Sequence, residues 1–142
     1  MAFREKLAWL TLLGSGVAYG VYFLAIGPSV DFGRDNMVAI IGTFGPVAVF
    51  HALIVAVGAG ALALTAHRDA NQKADERDRA IDRRASSVAY LAMMCGIILV
   101  GVVAPFSASA YKIVNAALAV IVICEIIRQI MIILGYRRGF HG

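Results

Sequence analysis

Four long apolar runs separated by polar breaks organise this chain. The first, Leu7 to Gly27, follows the charged start Arg4-Glu5-Lys6 and contains 21 residues. A bilayer core about 30 Å thick takes ~20 residues of helix, so the run predicts a membrane span. The break from Pro28 to Asn36 carries Asp31, Arg34 and Asp35 and reads as a loop. Val38 to Ala66 is a second run, 29 residues without a charge. It is longer than a perpendicular helix needs, which predicts tilt, and Gly42, Gly45 and Pro46 near its start predict a kink or an irregular first turn. A polar stretch follows, then a third span over 86–106 ending near Pro105, a tight turn from Ser107 to Tyr111, and a fourth span over 112–134. The expected fold class is all-α: four transmembrane helices in one domain covering 1–142.

A cleaved leader competes for the first run, because Ala18-Tyr19-Gly20 offers small residues at a suitable spacing. The run stays apolar through Ile26 instead of giving way to a polar mature start, which favours a retained span.

Composition supports the same picture. Hydrophobic residues make up 61% of the chain and charged residues only 15%, with a mean hydropathy of +0.80. A water-facing surface needs roughly a quarter of its residues charged, so lipid has to supply the missing solvation. The net charge of +4 does not indicate nucleic acid, because all of the thirteen Lys and Arg except Arg128 cluster at the edges of the apolar runs and they form no basic stripe interleaved with aromatics. Their distribution carries topology instead. Two lie before the first run, six in the central polar stretch and two in the tail, against Arg34 and Lys112 in the other two loops. Positive loops stay in the cytoplasm, so both termini and the central stretch are expected inside, in a cell (inner) membrane. Trp9, Tyr90 and Tyr136 then fall near the inner interface, and Phe32, Phe106 and Tyr111 near the outer one.

The central stretch, 67–85, is the only substantial polar segment. Ala74, Asp78, Ile81, Ala85, Val88 and Ala92 recur at helical spacing, which predicts that the third span extends about three turns into the cytoplasm. Asp69 with Lys73 and Asp75 with Arg79 are acid-before-base pairs four residues apart, each worth a few tenths of a kcal/mol. One reading is a solvated extension that merely joins two spans. The other is a docking surface for a soluble protein, carried by Asp75, Glu76, Arg77, Asp78, Arg79, Ile81 and Arg83, because a plain connection needs only a few residues.

Inside the spans, His51, Glu125, Arg128 and Gln129 are the strongly polar side chains, and ionisable groups there count as functional candidates. His51 is thirteen residues after Val38 and Glu125 thirteen after Lys112, which places both about 20 Å below the outer boundary. Equal depth allows them to meet. A structural clasp between spans two and four, a proton relay or ion site, and an Arg128 that snorkels to the inner interface all fit that placement.

Gly16 and Gly20 form a G-x-x-x-G element, and Gly58-Ala59-Gly60-Ala61 smooths the second span. Small residues let helices approach closely in lipid, within one chain or between copies in a homo-oligomer. Cys95 and Cys124 lie in apolar runs without ligand spacing and read as small hydrophobes. No cofactor motif or catalytic constellation is present. A lone intramembrane histidine cannot form a bis-histidine haem site, and five nearby arginines oppose cation binding by the acids of the central stretch. No enzymatic role is expected.

Asp75-Glu76-Arg77-Asp78 with Ile81 and Ala85, followed by an apolar span, and the closing Tyr136-Arg137-Arg138-Gly139 resemble a family of uncharacterised small prokaryotic four-span membrane proteins with a cytoplasmic D-E-R element and a Y-R-R-G-like end. Such proteins are often encoded beside small helix-turn-helix regulators. The resemblance therefore implies a membrane-embedded signalling or regulatory protein with a transcription regulator as its soluble partner. The alternative is a small proton- or ion-coupled transporter or channel subunit using His51, Glu125 and Arg128. Small multidrug exporters are similar in size but keep their working carboxylate in the first span, where this chain has none.

Overall fold

The computed structural model describes residues 3–26, 37–65 and 75–138. Four of its helices are long and apolar enough to cross a membrane. Helix α1 covers Phe3–Val21 and continues as a π-helical turn over Tyr22–Ile26. Helix α2 covers Met37–Thr65. Helix α3 covers Glu76–Ile98 and continues through a π turn, Leu99–Val103, and a 3-10 turn, Ala104–Phe106. Helix α4 covers Ala110–Arg137. The loop placed at 28–36, the tail from Gly139, Ala74 and the Asp69–Lys73 pair lie outside the described residues.

The irregular backbone is not where Pro46 led us to expect it. Helix α2 remains α-helical from Met37 through Pro46 to Thr65. Irregularity falls instead in the π turn Tyr22–Ile26 that ends α1 and at the end of α3, before Pro105. Pro105 has no amide to give the carbonyl four residues back, and the Ala104 N–H bonds the Leu99 carbonyl five residues back. The chain then tightens to a 3-10 turn and leaves the helix, with Ser107 N–H on Ala104 O at 3.1 Å.

Helix α3 starts cleanly because Asp75 caps it: its Oδ1 accepts the Asp78 N–H at 2.6 Å. Glu76 and Asp78 in the first turn also face the positive end of the helix dipole. The helix thus begins ten residues before Ser86, where the apolar run starts.

Helices pack in the order α2, α1, α4, α3. The central pair is α1 with α4, and α2 and α3 stand at the two flanks with no substantial packing on each other. Close approach depends on three glycines. A Cβ on Gly58 would lie 2.5 Å from Leu10 Cδ2, one on Gly96 2.5 Å from Val120 Cγ1, and one on Gly135 2.7 Å from Ile81 Cγ2. Gly16, Gly20 and Gly60 have nothing within 4 Å of that position. Among the described residues the G-x-x-x-G element therefore takes no part in packing: its face points away from α2 and α4. The outer face of α2 is a wall of exposed Val38, Ile41, Val49, Phe50, Leu53, Val57 and Leu64, a surface only hydrocarbon solvates cheaply.

Candidate functional site

At one end of the layer, the starts of α1 and α3 and the end of α4 converge in a charged network. Asp78 is its hub. Its Oδ2 lies 3.4 Å from Arg4 Nε of α1, and its Oδ1 accepts the Tyr136 hydroxyl of α4 at 2.5 Å. Arg77 Nη2 reaches the Tyr136 carbonyl at 3.5 Å. Glu5, largely buried, meets Arg137 Nε at 3.5 Å, and the Arg137 guanidinium lies 5.2 Å from the Trp9 ring centroid. Each contact joins residues far apart in sequence, and together they pin three helix ends.

Further in, Arg128 of α4 reaches across to α3. Its Nη2 lies 2.8 Å from Asp82 Oδ1 and its Nε donates to Ser86 Oγ at 3.4 Å. Its Nη1 is 3.8 Å from Glu125 Oε1, one turn back on the same helix. The buried Gln129 amide donates to that same Glu125 oxygen. One guanidinium thus serves two carboxylates on two helices, which stabilises a charge that would be costly alone in lipid.

His51 makes a separate assembly. Its Nε2 lies 3.0 Å from Ser15 Oγ and its Nδ1 3.3 Å from Tyr19 Oη, both on α1. Tyr19 is held by stacking on Phe44, with ring centroids 5.5 Å apart at 17°. Phe44 also meets Tyr22 edge-on, and the fully buried Tyr22 donates to Asn115 Oδ1 of α4 at 2.8 Å.

Two cavities adjoin these groups. One, of about 310 Å³, opens among α1, α3 and α4 and is lined by Arg4, Asp78, Asp82, Glu125, Arg128 and Tyr136 among others. The second, of about 430 Å³, lies between the flanking helices over the α1–α4 floor; Tyr19, His51, Tyr90, Met93, Glu125 and Arg128 line it. Glu125 and Arg128 face both.

These placements correct two expectations. The Asp78, Ile81 and Ala85 face is not presented outward: Ile81 and Ala85 are buried, Ile81 sits against Gly135, and Asp78 is tied to Arg4 and Tyr136. Glu76, Arg77, Arg79 and Arg83 remain exposed, and Asp75 is spent as the cap of α3 rather than as the partner of Arg79. Second, His51 and Glu125 share a cavity but form no direct clasp: His51 clamps α2 to α1, while Glu125 and Arg128 tie α4 to α3. Helix α1 stands between α2 and α4, so equal depth does not bring the two side chains into contact.

Sequence reasoning missed Ser15, Tyr19, Asp82, Asn115 and Tyr136. Ser15 and Tyr19 lie four residues apart, on one face of the first span. Asn115 is an amide inside the fourth span, costly there without a partner. Both were readable signals.

The profile of a family described as "Predicted membrane protein (DUF2178)" matches residues 7–140. No match was found among curated proteins or among solved structures.

Proposed function

The chain belongs to the DUF2178 family of predicted membrane proteins, and from that premise we propose that it is a membrane-embedded regulatory protein that docks a soluble cytoplasmic partner on the charged start of α3. The lysine and arginine bias of ten to two orients the charged network and both termini toward the cytoplasm of a cell membrane. What supports docking is one arrangement. The first three turns of α3 project beyond its apolar run, and Asp78, Ile81 and Ala85 hold them rigidly against α1 and α4. Glu76, Arg79 and Arg83 are left exposed on the free face. A pre-ordered helix loses little conformational freedom on binding, so its charges can specify a partner. The resemblance to proteins encoded beside helix-turn-helix regulators gives that partner its class.

The test is recovery of a neighbouring helix-turn-helix regulator with the purified membrane protein. Reversing Arg77, Arg79 and Arg83 to Glu abolishes recovery under this reading, and unchanged recovery refutes it.

A second reading, a proton- or ion-coupled carrier, is favoured by the cavity that His51, Glu125 and Arg128 share. In reconstituted vesicles, His51→Ala and Glu125→Gln each stop flux under this reading. Flux that survives both substitutions removes it.

A further inference from the structure

Imidazole is the side chain whose ordinary titration falls in the physiological range, and what each ring nitrogen faces decides whether a proton can be taken up. In this protein both nitrogens of His51 face hydroxyls, Ser15 Oγ at 3.0 Å and Tyr19 Oη at 3.3 Å. A hydroxyl donates or accepts by rotating, so the pair accommodates either neutral tautomer and equally a ring that donates from both nitrogens. Two carbonyls, or two fixed amide donors, would have locked one protonation state.

The two hydroxyls differ in access. Ser15 is fully buried, while Tyr19 lines the cavity of about 430 Å³ together with Glu125. His51 lines the same cavity, so the assembly opens along its Tyr19–His51 edge and is closed at Ser15. Stacking on Phe44 holds the Tyr19 ring at that opening.

We propose that His51 is a proton-binding site loaded from this cavity through Tyr19. Starting from the tautomer with its hydrogen on Nε2, a proton from cavity water arrives at Tyr19 Oη as the phenol's own proton passes to Nδ1. The Nε2–H then donates to Ser15 Oγ, whose hydroxyl proton turns to a main-chain carbonyl of its own helix. The ring has gained one proton and one positive charge, Tyr19 is again a neutral phenol, and no bond between heavy atoms has changed. The charged and titratable groups that line the cavity with the ring are Tyr19 from α1, Tyr90 from α3, and Cys124, Glu125 and Arg128 from α4. Glu125 is the one carboxylate among them, and the 2.8 Å contact with Asp82 draws Arg128 toward α3. Arg128 still lines the same wall, 3.8 Å from Glu125, so the wall pairs one carboxylate with one guanidinium.

With a single opening, the site suits sensing or storage of a proton rather than conduction through it. It shares its cavity with the carrier reading and supplies the docking reading with a stimulus. Its test reads protonation alone, so it fails or stands apart from either.

The experiment is nitrogen-15 NMR of histidine-labelled full chain in lipid nanodiscs, in a His67→Gln, His141→Gln background that leaves His51 as the sole imidazole. Lowering the pH from about 8 to about 5 moves its two ring signals from the unequal pair of a neutral tautomer to the matched pair of an imidazolium. Tyr19→Phe slows the exchange between the two forms, while Ser15→Ala leaves the route open and the titration intact. A neutral tautomer that persists to about pH 5 in the parent and in Ser15→Ala refutes the site. Tyr19→Phe that exchanges as fast as the parent refutes the route. Helical circular dichroism and a thermal melt for each variant separate loss of the site from loss of the fold.

Discussion

Gly96→Ala in α3 should separate the α3–α4 pair, and the structure gives a size for the effect. The added methyl would lie 2.5 Å from Val120 Cγ1 and 2.9 Å from Cγ2, well inside van der Waals contact. Val120 is β-branched, and its two methyls have no alternative rotamer in a helix that escapes both contacts. The helices must move apart. Overpacking of this kind costs roughly 1–3 kcal/mol. In water the better helix propensity of alanine would return about 1 kcal/mol. In a bilayer the separated state keeps its helices, so that return is largely absent and a net loss of about 2 kcal/mol is expected. Gly58→Ala is the control. Its methyl would meet Leu10 Cδ2 at 2.5 Å, the far end of a flexible side chain that can swing aside, and it should cost less than about 1 kcal/mol. Reversible unfolding in mixed micelles measures both. The double variant Gly96→Ala, Val120→Ala should recover most of the loss, since it removes the methyls that collide. Equal stability of Gly96→Ala and the parent, or a larger loss for Gly58→Ala than for Gly96→Ala, refutes the reasoning.

Three further outcomes follow from the same geometry. Tyr22→Phe removes the 2.8 Å bond to Asn115 and leaves that amide without its cross-helix donor; about 1 kcal/mol should be lost in the same unfolding assay. Arg128→Gln leaves Asp82 and Glu125 facing each other without their shared cation, and should cost about 1 kcal/mol near neutral pH, with most of it restored when Asp82→Asn is added. For topology, single cysteines at Arg79 and Ser107 in a background of Cys95→Ser and Cys124→Ala should label from opposite sides of the membrane, Arg79→Cys from the cytoplasm. Labelling of both from one side refutes the four-crossing arrangement.

The spans were legible because long uncharged runs have one solvent that suits them. Their ends were less so. Leu7 looked like the start of the first span, yet α1 begins at Phe3, where Arg4 and Glu5 find partners on α3 and α4. Lys112 to Leu134 looked like the fourth, yet α4 runs on to Arg137 because Tyr136 and Arg137 are tied to Asp78 and Glu5. Hydropathy reports contact with lipid and is blind to charges satisfied by other helices. Periodicity correctly grouped Asp78, Ile81 and Ala85 on one face, but it says nothing about what that face meets. Gly16 and Gly20 failed for the same reason: spacing shows that a smooth strip exists, and only the neighbouring helix shows whether the strip is used. The depth of His51 and Glu125 put them beside one cavity, while the direction around each helix axis kept them from touching. Val120 and Leu10, which determine what the glycines are for, carry no local signal at all.

The order of the helices also constrains how the protein is made. A nascent chain delivers α1 and α2 to the membrane first, and these two can pair at once through Gly58 and His51. The partners of Glu5 and Tyr22 arrive only with α4, more than ninety residues later. Until then the first hairpin holds a tyrosine hydroxyl without the asparagine oxygen that accepts its hydrogen in the finished layer. A ribosome stalled or a message truncated before that helix leaves a half-built layer with polar groups open to lipid, the kind of lesion that membrane proteases and insertases detect.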